Sequence, residues 1–255
     1  METAHVNNSF YGALGDRWYG ADDDPIALLR AESAQRNPWI ARVLDRDFGG
    51  RRCRVLDLGC GAGFLCNDLA LLGHDVVGLD QAPEALEVAM RHDATRRVLY
   101  EVGDATAIPH ADASFDAVCA MDFLEHVEDA EQVIAEASRV LEGGGRFFFH
   151  TFNRTWLAWL VVIKGVEWFV RNTPPRMHVL RLFRSPRELA RIFARHDLEI
   201  VELHGSRPRI GRPLLRMIAS GVVPRDLEFR FCRSTKLGYT GYAVRHHATR
   251  HSVSP

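Results

Sequence analysis

The sequence predicts a single α/β domain built on a parallel sheet. Short apolar segments alternate with segments of helical periodicity between residues 50 and 153. A glycine-rich turn at residues 59–63 lies directly after one apolar segment and before a helix, and an acid, Asp80, closes the next apolar segment about 20 residues later. Apolar strands that alternate with helices pair in parallel through right-handed crossovers, which favours this fold class.

The first part of the chain is expected to contain a helix, five strands and the helices between them. Apolar residues at helical spacing predict the first helix over residues 25–44. Short apolar runs predict strands at residues 53–58, 74–80, 98–104, 114–122 and 146–153. Helical periodicity predicts helices at residues 64–73, 83–93 and 129–145, the last of which is stopped by glycines.

The pattern changes after residue 153. Residues 156–170 are apolar and aromatic, and residues 174–185 have the composition of a loop. A helix follows at residues 185–197, with Ser185 as its N-cap and Pro186 in its first turn. Residues 198–205 and 237–247 are predicted to be closing strands.

The composition is that of an ordinary globular protein. The chain has 255 residues, of which 47% are hydrophobic and 25% charged, which suits one large α/β domain with insertions or a domain with a small lid. The formal net charge of -1 gives no argument for nucleic-acid binding. Arginine is frequent from Arg171 onward, which indicates either solvated arginines or contact with an anionic lipid or substrate.

The cysteines and the N-terminus indicate a cytoplasmic protein. The five cysteines are scattered and do not form metal-ligand pairs, so buried, reduced thiols are expected. The N-terminus lacks the basic-then-apolar pattern of a secretory signal. No apolar run reaches the roughly 18 residues that span a bilayer, so any membrane association is expected to be peripheral, at the inner face of the membrane.

The glycine turn and two carboxylates indicate a cofactor that contains adenosine. Asp80 is placed to accept hydrogen bonds from both hydroxyls of a ribose. The glycines follow the order G-x-G-x-G, and Phe64 occupies the position where a dinucleotide fingerprint has its last glycine. The carboxylate of Asp57 would repel a pyrophosphate but suits the ammonium of a methionine. S-adenosylmethionine is therefore expected, with a nicotinamide or flavin site and a ligand-free turn as the alternatives.

The segment from Val55 to Asn153 resembles the class I S-adenosylmethionine-dependent methyltransferases. The resemblance implies a Rossmann-like three-layer sandwich with a seven-stranded, mostly parallel sheet whose last strand is antiparallel. It implies that the glycine turn surrounds the methionine, that Asp80 holds the ribose, that Asp104 bonds the adenine amine and that Met121 packs by the adenine. An exposed turn residue and a core residue are the alternatives for Asp104 and Met121. The cofactor-binding residues expected are Asp57, Gly59, Cys60, Gly61, Gly63, Asp80, Gln81, Asp104, Ala105, Met121 and Arg36.

Further motifs are similar to those of the ubiquinone-biosynthesis O-methyltransferases. They lie at residues 16–19, 36–38, 122–127, 151–154, 177–179 and 183–189. This resemblance implies methyl transfer to a phenol or catechol hydroxyl of a small lipophilic molecule, a polyprenyl quinone precursor. The alternatives are a class I methyltransferase of another secondary metabolite or lipid, a nicotinamide-dependent reductase and a cofactor-sensing module without activity.

Asp122, Glu125 and His126 are the candidate catalytic residues. On a helical turn, side chains at i, i+3 and i+4 lie close together. The three side chains are therefore also the candidate ligands of Mg²⁺ or Zn²⁺, either of which would lower the pKa of a catechol hydroxyl and orient it. The related quinone methyltransferases carry acids and a histidine at the matching positions. The alternatives are His126 as a metal-free general base and a segment that only organises the turn.

The apolar segment 156–170 contains three tryptophans and is too short to span a membrane. As a helix it would carry Lys164, Glu167 and Arg171 on one narrow polar stripe. It is expected either to lie in the lipid interface or to form a buried lid or dimer helix. His178, beyond it, either lines the pocket or is an ordinary loop residue.

The chain thus divides into a helical cap (1–48), a cofactor-binding core (49–153), an apolar insertion (154–184) and the C-terminal part of the same sheet (185–255).

Overall fold

The strands of the computed structural model form one mixed sheet. The structure describes residues 7–246. The start of the expected helical cap and the end of the last expected strand, at residues 1–6 and 247, lie outside the described residues. The strands are β1 (Arg54–Leu58), β2 (Asp75–Asp80), β3 (Leu99–Val102), β4 (Phe115–Met121), β5 (Leu141–Phe152), β6 (Leu198–Pro208), β7 (Phe229–Cys232) and β8 (Gly238–Arg245).

The helices flank the sheet or lie between its strands in the chain. The α-helices are α1 (Ser9–Gly12), α2 (Arg17–Gly20), α3 (Ile26–Phe48), α4 (Phe64–Leu71), α5 (Pro83–His92), α6 (Ala130–Val140), α7 (Trp156–Ala158), α8 (Val166–Phe169), α9 (Pro186–Arg195) and α10 (Arg212–Ser220). A π-helical segment (Trp159–Gly165) joins α7 to α8, and residues 156–169 are called the apolar helix below. A short 3₁₀ helix spans Leu180–Leu182.

The strand order is β3-β2-β1-β4-β5-β8-β6-β7. Strands β1 to β5 pair in parallel, whereas β8 pairs antiparallel with both β5 and β6. The predicted α/β fold, with a mostly parallel sheet and an antiparallel last strand, is therefore confirmed. The described residues contain eight strands where seven were expected, because β7 adds to the outer edge of β6 from a segment for which the sequence predicted no element.

Alternating side chains of the central strands divide the core into two layers. Phe147 and Phe149 pack on one face of the sheet with α6 and α9, and Phe148 packs on the other face with α3 and α4. Since the side chains of a strand alternate between faces, this continuous apolar run is explained by burial on both sides. Four of the five cysteines are buried in this interior as free thiols, and Cys232 is half-buried in β7.

Two helices differ from their sequence-based expectation. The helix expected over residues 129–145 ends at Val140, and β5 begins at Leu141, so that the glycines 143–145 lie in the strand at a shift of register against β4. The expected polar stripe of the apolar helix is wrong for Arg171, because Arg171 lies beyond the end of α8 and its backbone N–H donates to Gly221. Lys164 and Glu167 do form an ion pair, at 2.6 Å.

The cap of α9 follows the sequence pattern. The backbone N–H of Glu188 donates to Oγ of Ser185 at 3.3 Å, and the backbone N–H of Ser185 donates to the Glu188 carboxylate at 2.8 Å. This capping box satisfies two backbone donors that the first helical turn would otherwise leave without partners. No helix within residues 7–246 is both long enough and apolar enough to cross a membrane.

Candidate active site

A cavity of about 1170 Å³ lies at the carboxyl ends of β1, β2 and β4. This edge of a parallel sheet is where open α/β sheets bind ligands. All of the residues that the sequence singles out for the site line the cavity, with the exception of Gly63 and Glu125. The half of the cavity away from the glycine turn is walled by apolar side chains of the apolar helix and α10, which include Leu160, Val161, Val166, Phe169, Leu214 and Met217.

The glycine turn brings its backbone close to two aromatic rings. Gly59 and Gly61 have φ of +66° and +51°, in the left-handed region that favours glycine. A Cβ at Gly59 would lie 2.1 Å from the ring of Phe123, and one at Gly61 would lie 2.8 Å from the ring of Trp18. Neither position therefore has room for a side chain, and the backbone N–H groups of Gly59, Cys60, Gly61 and Gly63 donate to acceptors within the protein, which fixes the shape of the turn.

Asp80 closes β2 directly beneath the turn. One carboxylate oxygen accepts from the backbone N–H of Gly61, and the other accepts from that of Ala82, both at 2.8 Å. Burial raises the pKa of Asp80, although these backbone hydrogen bonds oppose the shift. Each oxygen keeps a lone pair with which it can accept a hydroxyl proton. Gln81, which follows it, is exposed at the rim.

The remaining residues of the cofactor half differ in burial. Asp57 is buried at the end of β1 and accepts a hydrogen bond from the thiol of Cys66 at 3.3 Å, and burial raises its pKa to about 7. Cys60 and Ala105 are buried in the wall, and Met121 is half-buried at the end of β4. Asp104 is exposed, and one of its oxygens accepts from the backbone N–H of Thr106 at 2.8 Å.

Arg36 and Asp122 form an ion pair in the wall of the cavity. Both terminal nitrogens of Arg36 donate to the Asp122 carboxylate, and Nη1 also lies 3.5 Å from Glu32. Burial raises the pKa of Asp122, but the Arg36 guanidinium prevails and holds it below its usual value. Burial raises the pKa of Glu32 to about 8, which Arg36 only partly offsets. His150 completes the group, with Nε2 3.5 Å from Asp122 and Nδ1 bonded to Thr240.

A second group of titratable side chains surrounds His126. Donor atoms of Glu125, His126 and His178 all lie within 4.8 Å of one another. Burial raises the pKa of Glu125 to about 8, and it lowers those of His126 and His178 to about 4 and about 3. Both histidines are therefore neutral at pH 7. Within residues 7–246, neither oxygen of Glu125 makes a well-formed hydrogen bond. Tyr11, in the N-terminal helix α1, contacts His126 through its hydroxyl.

The expected cluster of Asp122, Glu125 and His126 is divided between these two groups. Asp122 has φ of +53°, and the chain from Asp122 to His126 forms bends and turns instead of a helical turn. The i, i+3, i+4 neighbourhood of a helix therefore does not exist here. Asp122 is directed toward Arg36 and His150, whereas Glu125 and His126 are grouped with His178.

Several residues of the site carry no signal in the sequence. Glu32, His150 and Tyr11 come from three different elements. Glu32 joins the site through Arg36, one helical turn away, whereas His150 and Tyr11 join it through contacts with Asp122 and His126 on another element. For Trp18, the resemblance of residues 16–19 to a family motif was a signal, although it gave no role. The structure packs Trp18 against Gly61 in the glycine turn.

The sequence profile of a family described as a methyltransferase domain matches residues 56–149. Two curated relatives, both called ubiquinone biosynthesis O-methyltransferase, match most of the chain. The protein from Xanthomonas oryzae pv. oryzae is 35% identical over 198 residues, which cover 76% of this chain and 81% of the relative. The protein from Pectobacterium atrosepticum is 33% identical over 190 residues, covering 73% and 77%.

Solved structures share the fold at low sequence identity. The magnesium protoporphyrin IX methyltransferase from Synechocystis, solved with bound SAH, has a TM-score of 0.63 and 18% identity, covering 93% of this chain and 97% of the other. A Pyrococcus horikoshii protein has a TM-score of 0.59 and 19% identity, covering 94% and 99%.

Proposed function

The chain belongs to the ubiquinone biosynthesis O-methyltransferases, a family of S-adenosylmethionine-dependent enzymes, and from that membership we propose that it methylates a phenol or catechol hydroxyl of a lipophilic acceptor, a polyprenyl quinone precursor. The observation that carries the proposal is the cavity itself. One half presents the glycine turn and Asp80, and the other half is walled by apolar side chains and leads outward along the apolar helix. A cofactor and an acceptor with an apolar tail are accommodated in one continuous space.

The cofactor half suits S-adenosylmethionine. Asp80 is placed to accept hydrogen bonds from the ribose hydroxyls, Asp104 to accept one from the adenine amine, and the glycine turn to lie against the methionine. Arg36 is assigned to the carboxylate of the methionine moiety, because its guanidinium is buried in the cavity wall. Because Arg36 is paired with Asp122, the methionine carboxylate must either share the guanidinium with Asp122 or displace it.

The acceptor hydroxyl must lose its proton for transfer to be fast at neutral pH. The sulfonium methyl is already activated, so alignment and deprotonation of the attacking oxygen are the main requirements. Burial lowers the pKa of His126 to about 4, which makes it a weak base in the free enzyme. This low pKa favours the role of a neutral metal ligand over that of a metal-free general base.

A divalent cation fits the residues around His126 better than the set expected from the sequence. Asp122 is held by Arg36, whereas Glu125, His126 and His178 offer one carboxyl group and two neutral imidazoles; within residues 7–246, neither Glu125 oxygen nor Nδ1 of His126 has a well-formed hydrogen bond. Two imidazoles and a carboxylate are a donor set that suits Zn²⁺. We assign the site to these three residues; the ion would lower the pKa of the acceptor hydroxyl and orient it.

Methyl transfer from labelled S-adenosylmethionine to a catechol with a short prenyl chain tests the proposal. The assay is run after dialysis against a chelator and again with added Zn²⁺ or Mg²⁺. Turnover that rises at least tenfold with one of the ions supports both the acceptor and the cation. Turnover that does not depend on added metal would support the proposed acceptor and contradict the proposed cation site. Faster methylation of other phenols or lipids than of the prenylated catechol would show that the enzyme acts on another class of substrate.

A further inference from the structure

The N-terminal helices contribute side chains to the wall of the cavity. Asn8, Tyr11, Gly12 and Trp18 all line the cavity, although they precede the methyltransferase-domain segment by about 40 residues. Helix α1 packs on α5 at the cofactor side, where Gly12 faces Ala82 and Glu84. The N-terminal segment is thus a part of the site wall.

Tyr11 makes a specific contact with His126. Its hydroxyl oxygen lies 3.3 Å from Nε2 of His126, and the two rings meet edge to face with centroids 5.4 Å apart and planes at 89°. The side chain of Asn8 also donates to the backbone carbonyl of His126 at 3.2 Å. Two neighbouring residues of the N-terminal segment therefore fix both the ring and the backbone of His126.

The glycine turn holds Tyr11 in place. The indole of Trp18 is stacked near Tyr11, with centroids 5.9 Å apart, and its N–H donates to the Tyr11 carbonyl at 3.1 Å. The benzene edge of the same indole lies against Gly61. The orientation of Tyr11 is consequently set by contacts with the cofactor turn, and not by the short helix α1 alone.

The two ring nitrogens of His126 have different surroundings. A neutral imidazole has one N–H donor and one acceptor nitrogen. Nδ1 is buried and has no hydrogen-bond partner among residues 7–246, whereas Nε2 has the Tyr11 hydroxyl. A proton on Nδ1 would be a buried donor without an acceptor, which costs about 1–3 kcal/mol. A proton on Nε2 donates to the Tyr11 hydroxyl oxygen instead; the hydroxyl proton can then turn toward the cavity that Tyr11 lines, and the lone pair of Nδ1 stays available.

We propose that Tyr11 is a positioning residue, which accepts the Nε2 proton of His126 and so directs the lone pair of Nδ1 toward Glu125 and His178. This inference rests on the proposed function only for its catalytic consequence. A metal-binding or proton-accepting imidazole works through one nitrogen, and the partner of the other nitrogen selects the tautomer and fixes the ring. Tyr11 provides that partner from outside the segment that carries the methyltransferase-domain match.

Nitrogen-15 NMR of histidine-labelled, metal-free protein tests the tautomer directly. A long-range ¹H–¹⁵N correlation spectrum distinguishes protonated from unprotonated ring nitrogens, and His126→Gln assigns the signals. We expect His126 to carry its proton on Nε2 in the wild-type protein. In Tyr11→Phe, which keeps the ring and loses the hydroxyl, we expect both tautomers to be populated. A proton on Nδ1 in the wild type, or an unchanged single tautomer in Tyr11→Phe, would overturn the proposal.

Tyr19→Phe is the matched control. Tyr19 lies on the same N-terminal segment, and its hydroxyl donates to Ala62 instead of His126, so its loss should leave the His126 signals unchanged. Tyr11→Phe should also lower kcat about tenfold while the Kd for S-adenosylhomocysteine stays the same, as is usual for the loss of an orienting partner. Absence of turnover in the wild type would reject the proposed acceptor, whereas the spectrum would still decide the role of Tyr11.

Discussion

At the residue scale, the carboxylate of Asp80 is the clearest single test of the cofactor site. Asp80→Ala should weaken the binding of S-adenosylhomocysteine by about 30- to 100-fold, because a charged acceptor of two hydroxyl groups is lost. Isothermal titration calorimetry measures this change. Asp75→Ala, an exposed aspartate at the other end of β2, serves as the control and should bind as the wild type does. Equal binding by the Asp80 variant would place the ribose elsewhere.

Glu32 makes a second prediction, which concerns the dependence of stability on pH. Burial raises its pKa from 4.5 to about 8, so the folded protein binds this proton more tightly than the unfolded chain does. The resulting contribution to the free energy of unfolding is fully present below pH 4.5 and is lost as the pH rises through 8. Between pH 6 and pH 9 the loss should be on the order of 2–3 kcal/mol.

Urea unfolding of Glu32→Gln at pH 6 and pH 9 isolates this contribution. The neutral amide cannot titrate, so the variant should lose less stability than the wild type over this range. Glu87→Gln, on the exposed face of α5, should keep the wild-type dependence. Identical pH dependence in the wild type and Glu32→Gln would mean that Glu32 is already ionised beside Arg36.

At the element scale, the apolar helix and α10 together present exposed apolar side chains. On the apolar helix, Trp156 and Trp168 are 72% and 63% exposed. Ile210, just before α10, is 74% exposed, and Leu215, within α10, is 64% exposed. Helix α10 packs against α8. Tryptophan is favoured at the boundary between lipid and water. This exposure supports the prediction that the apolar helix lies in the lipid interface, where it would pass a polyprenyl tail to the cavity, and the alternative remains a lid or dimer helix.

Flotation with liposomes that contain anionic lipid measures this association. We expect the wild type to float and a variant with Trp156, Trp159 and Trp168 changed to Ala to remain at the bottom of the gradient. Leu71→Ala with Leu72→Ala removes two side chains that are each 63% exposed at the end of α4, and this control should float as the wild type does. A wild type that stays in solution would favour a lid or a dimer contact for the apolar helix.

At the scale of the whole molecule, the cavity is enclosed by the sheet together with the N-terminal helices, the apolar helix and α10. Gly165 lies in its wall at the junction of the π-helical segment and α8, where an added Cβ would be 3.4 Å from the Leu160 carbonyl. Gly165→Phe should raise KM for a prenylated catechol at least about tenfold, a loss of about 1.4 kcal/mol of binding. The same change should leave KM for unprenylated catechol nearly unaltered.

Steady-state kinetics with the two acceptors separate tail binding from chemistry. Gly165→Ala is the control, since it adds a single methyl group and improves helix propensity. Its kinetic constants should stay close to those of the wild type with both acceptors. An equal loss with both acceptors in Gly165→Phe would indicate that the ring disturbs the reacting end of the cavity and that the tail leaves by another route.

Local sequence patterns were sufficient to predict the strands of the core, the glycine turn and the position of Asp80 relative to that turn. These features depend on local periodicity and on chain order, because an apolar strand followed by glycines and a helix has few ways to pack into a parallel sheet. The capping box at Ser185 is equally local, since its two partners are three residues apart. The fold class, the cofactor and the resemblance to a family could therefore be predicted from the sequence.

The tertiary structure decided which titratable side chains face one another. Asp122 takes a left-handed conformation and pairs with Arg36, a residue 86 positions away, so the helical-turn cluster expected around it does not form. No element was predicted from the sequence at β7 or α10. Strand β7 is fixed by pairing with β6, whereas α10, which packs against α8, does carry a local signal in Pro213 and the left-handed C-cap Gly221. Contacts of this kind are governed by packing and burial between distant segments, which the pattern of neighbouring residues in the chain does not encode.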